Sequence, residues 1–99
     1  MLISEIRGWH WAITWDNPRP ANSSTMLKAL GKLGKITSTQ TKTTVLLAPK
    51  AGIGWRDIRE AIISNLHPSK GNAFYANLRT KKAFQWGSNT GRVWQRVGA

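Results

Sequence analysis

The sequence contains no cysteine, which excludes disulfide bonds, thiolate metal ligands and a cysteine nucleophile. It also lacks any apolar run near the roughly 20 residues that a membrane-spanning helix requires. The N-terminal residues carry Glu5 where a secretory signal would carry positive charge, and no long apolar stretch follows. These absences predict a cytoplasmic protein with no membrane partner.

Acidic residues are scarce, with 4 Asp and Glu against 15 Lys and Arg, which gives a net charge of +11. No carboxylate lies between Asp16 and Asp57, or after Glu60. A surplus of one sign costs self-repulsion that a polyanion relieves, and nucleic acid is the commonest polyanion. We therefore predict that the chain binds DNA or RNA through its phosphates, without sequence readout. A basic surface that only maintains solubility is the simpler alternative.

The 99 residues, 40% of them hydrophobic, suit one domain with a modest core. Residues 9–15 place Trp and Ile at every second position, as in a strand, and apolar residues recur at helical spacing in two later segments. The complete set of predicted elements is a strand at 9–15, a helix at 22–34, strands at 35–40 and 43–48, a helix at 55–66 and a strand at 73–78.

This order predicts an α+β, ferredoxin-like βαββαβ fold, in which a four-stranded antiparallel sheet carries two helices on one face. Residues 93–97 also suit a short extra C-terminal strand. We place the domain at residues 1–80 and a basic, aromatic C-terminal extension at 81–99. Because the strands at 9–15 and 73–78 are apolar on both faces, we expect a second copy to cover the outer face, giving a homodimer.

Tryptophan is abundant, with 6 residues. Trp11, Trp15 and Trp55 occupy apolar positions of the predicted strand and helix, so we expect them in the core. Trp86 and Trp94 instead alternate with cations, where aromatic rings either stack on bases or pack onto the domain. The candidate nucleic-acid contacts are Arg19, Lys42, Arg79, Lys81, Lys82, Trp86, Arg92, Trp94 and Arg96.

Three segments carry a resemblance to a known family: WAITWD at 11–16, TKTTVLLAPKAGIGWRDIREAI at 41–62 and NAFYANL at 72–78. In order and pattern they resemble the CRISPR-associated Cas2-like proteins and their small SinR-like relatives. The resemblance covers roughly residues 11–80 and has one sharp position, Asp16 after Trp15. It implies a ferredoxin-like homodimer that handles nucleic acid. Some members of that family cleave DNA or RNA with a divalent metal, and others cleave nothing.

The resemblance implies that Asp16 is the catalytic residue and, paired with its symmetry mate, the ligand of Mg²⁺. A magnesium-dependent endonuclease acting on RNA or DNA is therefore an alternative function, whereas the binding function needs no cofactor. Asp16 before Asn17-Pro18 also suits a turn residue at a strand end, and this loop departs from the family pattern. A second alternative, from another class, is a phage-type protein-interaction module or inhibitor.

Overall fold

A computed structural model of the protein describes residues 9–18, 21–39 and 43–98. The elements in chain order are β1 (Trp11–Asp16), α1 (Ala21–Leu33), β2 (Gly34–Ser38), β3 (Thr44–Pro49), α2 (Trp55–Ser64), β4 (Asn72–Asn77), β5 (Ala83–Trp86), a 3-10 turn (Ser88–Thr90) and β6 (Gln95–Val97). Within these ranges, no helix has the length and apolar character needed to cross a membrane.

The strands form one antiparallel sheet in the order β2-β3-β1-β4-β5-β6. Its first four strands and two helices are compatible with the expected ferredoxin-like order. The predicted number of strands was wrong, because the sheet has six and not four or five. The additional strand is β5, in which Phe84 and Trp86 alternate with Ala83 and Gln85 and pair with β4. The segment predicted as an extension from residue 81 thus contributes two strands to the sheet.

Both helices cover the same face of the sheet, because alternate residues of β1 and apolar residues of both helices share one core. Trp11 and Trp15 are buried there, as predicted. The central residues of this core are Trp11, Ile13, Trp15, Met26, Leu30, Val45, Leu47, Ile58, Ile62 and Tyr75. The prediction for Trp55 was wrong, since its side chain is 46% exposed. It begins α2, and its ring contacts the side chains of Arg56 and Arg59 instead of the core.

The opposite face of the sheet, which we call the open face, is not covered by either helix. The strand register places Ala76 beside Ala12 on one side and Ala83 on the other, and Phe74 beside Thr14. These side chains are half-buried. Among the described strand residues of the open face, the charged ones lie at its periphery. They are Asp16 at the end of β1 and Lys35 on the edge strand β2.

Helix α1 passes into β2 without an intervening loop, and Gly34 is the first residue of the strand. A Cβ atom at Gly34 would lie 2.2 Å from the carbonyl oxygen of Ala48 and 2.7 Å from Cα of Pro49. Both are backbone atoms of the paired strand β3, so they cannot rotate away as a side chain would. This close approach restricts the junction to glycine.

We expect Gly34→Ala to lower the free energy of unfolding by ~1–3 kcal/mol, because the added methyl group forces β2 and β3 apart. Gly31→Ala is the matched control. Gly31 is exposed in α1, and its added Cβ would meet only Cδ1 of Ile36, at 3.9 Å. Since alanine favours the helix, this variant should gain ~1 kcal/mol. Urea denaturation followed by circular dichroism measures both, and equal stability of the two variants would contradict the tight junction.

Candidate nucleic-acid interface

The turn between β4 and β5, residues 78–82, is held by its own backbone and by Asn77. Oδ1 of Asn77 accepts hydrogen bonds from the backbone N–H groups of Arg79 and Thr80, at 2.9 and 3.1 Å. The backbone N–H of Lys81 donates to the carbonyl of Asn77 at 2.8 Å, and that of Asn77 donates to the carbonyl of Lys82 at 2.8 Å. The side chains of Arg79, Lys81 and Lys82 are exposed. This fixed backbone, the basic turn below, therefore presents three cations to solvent.

Lys81 adopts a left-handed backbone conformation, with φ of 62°. This conformation is easy for glycine and tolerable for asparagine, but it is sterically unfavourable for lysine. The surrounding hydrogen bonds hold the residue in place despite that cost. Such strained positions cluster at functional sites, where the side chain matters more than the local backbone energy. Arg92 has the same backbone conformation, with φ of 63°, so it is the exposed charge of Lys81, together with its conformation, that makes the basic turn a candidate site.

A groove about 340 Å³ in volume lies between α2 and the basic turn. We call it the aromatic groove. Its walls include Trp55 and Arg59 from α2, Tyr75 from β4, Phe84 from β5, and Thr80 and Lys82 from the basic turn. Aromatic rings and cations thus line one concave surface, the combination that proteins use to stack bases and hold phosphates.

Arg59 is the centre of this groove. Its Nε donates a hydrogen bond of 2.7 Å to the hydroxyl oxygen of Tyr75. Its guanidinium carbon lies 4.5 Å from the ring centre of Trp55, 4.8 Å from that of Phe84 and 5.4 Å from that of Trp94. Burial raises the pKa of Tyr75, an effect that Arg59 partly opposes, so the phenol stays protonated at neutral pH. The contacts fix the guanidinium between α2 and the sheet.

Trp86 and Trp94 pack onto the domain. Their ring centres are 5.7 Å apart, and the ring of Trp94 lies 5.1 Å from that of Tyr75 in an edge-on arrangement. Both side chains are partly buried against the core. Arg96 lies opposite Phe84 in the β5–β6 register, which places it on the same side of the sheet as the aromatic groove, and it is exposed.

Arg92 has a structural role. Its guanidinium donates hydrogen bonds to the backbone carbonyl oxygens of Ser69 and Gly71, in the loop before β4. These bonds connect the C-terminal segment to that loop. Arg19 and Lys42, which were also predicted as nucleic-acid contacts, lie outside the described residues.

His10 precedes β1, and its carbonyl oxygen accepts a hydrogen bond of 2.7 Å from the N–H of Leu78. Partial burial lowers the pKa of His10, and the positive charge of Arg79 lowers it further. The imidazole is therefore neutral at pH 7. The hydrogen bond from Leu78 to His10 places Arg79, the next residue, at the same end of the sheet as His10.

Asp16 lies at the opposite end of β4 from the basic turn. It is exposed and faces Asn72 in the β1–β4 register. It lines a separate cavity of about 480 Å³, together with neutral side chains that include Thr14 and Gln85. Across the described part of the chain, no three His, Asp or Glu side chains come together as metal ligands. A single carboxylate among neutral groups does not fit a Mg²⁺ site on one chain.

The sequence prediction missed the α2 side of this surface, formed by Trp55, Arg56 and Arg59. A signal was present, because residues at i and i+4 of a helix lie on one face and a guanidinium stacks well on an indole. The apolar stripe of α2 led instead to placing Trp55 in the core.

No protein-family model, curated protein or solved structure matches this chain.

Arg92→Gln should lower the free energy of unfolding by ~1.5–3 kcal/mol, because hydrogen bonds from a charged donor to two backbone carbonyls are lost. The control is Arg96→Gln, which removes the same charge from an exposed strand position and should change stability by less than ~0.5 kcal/mol. Thermal or urea denaturation measures both. Equal losses in the two variants would show that the bonds to Ser69 and Gly71 contribute nothing specific.

Proposed function

We propose that this protein binds nucleic acid by contacting phosphates, without reading sequence. The observation that supports this most strongly is the basic turn, where Arg79, Lys81 and Lys82 project from a backbone held by Asn77. A turn that is already ordered loses little conformational entropy when its cations meet phosphates. When nucleic acid binds, the three lysine and arginine side chains of this turn neutralise phosphates, and the counterions condensed on the nucleic acid are released.

The placement of the acids favours the same surface. Asp16 of β1 lies beside Asn72, at the end of β4 that is away from the basic turn. Oδ2 of Asp57 accepts a hydrogen bond of 2.9 Å from the backbone N–H of Gly54, which engages that carboxylate at the N-terminus of α2. Glu60 is the remaining described carboxylate and is exposed on α2. The cations around the aromatic groove outnumber these acids, so the local field attracts phosphate.

Lys81→Asn tests the basic turn without disturbing its backbone, because asparagine tolerates the left-handed conformation. Removing one phosphate contact should reduce the slope of log K against log salt concentration by about 0.9 on duplex DNA or about 0.7 on a single strand. Stability should stay the same or rise slightly. Fluorescence anisotropy at several salt concentrations gives the slope, and urea denaturation gives the stability.

Lys70→Asn is the matched control, since Lys70 is an exposed lysine in the loop before β4, at the end of that strand away from the basic turn. It should leave the salt slope nearly unchanged. If both lysine variants reduce the slope equally, binding is spread over the whole basic surface and the basic turn has no special role.

We also propose that the protein is a homodimer in which the open faces of two copies pack together. Two chains of charge +11 repel each other, so the surface that they bring together must be nearly neutral. The centre of the open face meets this requirement, with Ala12, Ala76 and Ala83 side by side. Small side chains there let two sheets approach closely. The basic turn and the aromatic groove would remain accessible, because the groove opens on the helix side.

Ala76→Arg should convert the dimer to a monomer, because it places a charge at the centre of the proposed contact. Ala51→Arg adds the same charge to an exposed loop residue and should remain dimeric. Light scattering at micromolar concentration measures the mass, and circular dichroism verifies that both variants fold. A monomeric parent protein would remove the dimer proposal and leave the phosphate-binding proposal intact.

A further inference from the structure

Trp55 is exposed, although two arginine side chains contact its ring and it lines the aromatic groove. The side chain is 46% exposed, although tryptophan is among the most costly side chains to leave in water. Val93 and Val97 are the other exposed large apolar residues within the described part of the chain, and neither lies in the aromatic groove. The exposed indole lines a concave surface, the aromatic groove.

The indole is held in one orientation before any ligand arrives. The guanidinium carbon of Arg59 lies 4.5 Å from its ring centre, and that of Arg56 lies 5.1 Å away. Arg59 is itself fixed by its hydrogen bond to Tyr75 and by its contact with the ring of Phe84. A preorganised aromatic surface loses little rotamer entropy when a flat ligand stacks on it.

The groove has the size and chemistry for one planar ring with a phosphate beside it. Its volume of about 340 Å³ lies near the lower end of the ~300–1,000 Å³ typical of sites for small ligands. Aromatic rings line it together with Arg59, and Thr80 and Lys82 of the basic turn also contribute to its lining. A base in this groove would have its own phosphate near Lys82, which lines the groove, and near the turn that also carries the exposed Arg79 and Lys81.

We propose that the aromatic groove takes one unpaired nucleobase, stacked on Trp55, and that the preferred ligand is therefore single-stranded nucleic acid. This rests on the phosphate-binding function proposed above and adds the form of the ligand. In a duplex each base is already stacked between neighbours, so its face cannot reach the indole. Stacking tolerates any base, because every base has a π-face, and this agrees with binding that reads no sequence.

The test uses fluorescence anisotropy with three probes of equal length: a labelled oligothymidylate, an abasic strand with the same phosphates, and a DNA duplex. Trp55→Ala should weaken binding to the oligothymidylate by about 5- to 150-fold, the loss expected for one stacked base. Its affinity for the abasic strand and for the duplex should be unchanged. The salt slope should also be unchanged, because stacking releases no counterions.

Trp55→Phe is the conservative control and should retain most of the affinity for the oligothymidylate. It also provides a second measurement, because stacking quenches indole fluorescence. The oligothymidylate should quench the emission of the parent protein more strongly than that of Trp55→Phe. This comparison keeps the proposal testable even if Trp55→Ala is poorly folded. Val93→Ala removes another exposed apolar side chain and should change binding to none of the three probes.

Other outcomes separate the two proposals. If the parent binds all three probes equally and Trp55→Ala changes nothing, the phosphate-binding function stands and the base site is overturned. If Trp55→Ala weakens all three probes equally, Trp55 supports the surface and does not stack on a base. If the parent binds none of the probes, both proposals fail. A side chain of a protein partner would then be the ligand to test for the aromatic groove.

Discussion

The guanidinium of Arg59 connects a helix, two strands and the C-terminal segment of this molecule. It belongs to α2, its hydrogen bond goes to Tyr75 of β4, and it lies against Phe84 of β5 and Trp94 in the C-terminal segment. Arginine suits such a site because it stays charged and its flat group stacks on aromatic rings. These contacts add to the packing of Phe84, Trp86 and Trp94 against the core, which already includes Ile58 and Ile62 of α2.

The same contacts explain why Trp55 is not in the core. The guanidinium of Arg59 lies between the indole of Trp55 and the rings of Tyr75 and Phe84, so the indole at the start of the helix does not pack on those rings. Arginine therefore has two effects here: it joins the helix to the sheet, and it leaves one aromatic ring oriented toward solvent. Because Trp55 is 46% exposed, we expect its substitution to affect the fold less than substitution of Arg59.

Much of the fold follows from local sequence patterns. The two-residue period of 9–15 identified β1, and the burial of Trp11 and Trp15 confirmed which face it turns to the core. The basic turn and β5 were harder to predict, because Lys81, Lys82 and Phe84 were interpreted as part of a basic tail. A strand of four residues gives too short an alternation to stand out beside glycine and lysine. Its pairing with β4 depends on tertiary contact between Tyr75 and Phe84, which have ring centres 5.5 Å apart.

The candidate site was only partly accessible from the sequence for a related reason. Composition identified cations as the important residues, but it could not predict which of them hold the fold together and which face solvent. Arg92 holds backbone carbonyls and Arg59 holds aromatic rings, whereas Arg79 and Lys81 project into solvent.

That division follows from the shortage of carboxylates. With 4 acids for 15 cations, most arginine and lysine side chains have no ion-pair partner within the chain. In place of a carboxylate, such a side chain can contact a carbonyl oxygen, the face of an aromatic ring, water or an external polyanion. Arg92 contacts carbonyl oxygens and Arg59 contacts aromatic rings. The cations of the basic turn face solvent on a fixed backbone, which is why we propose an external phosphate as the group that relieves their repulsion. The charge imbalance is compatible with folding because Arg59 and Arg92, which are only partly buried, hold neutral partners: the Tyr75 hydroxyl and aromatic rings for Arg59, and backbone carbonyls for Arg92.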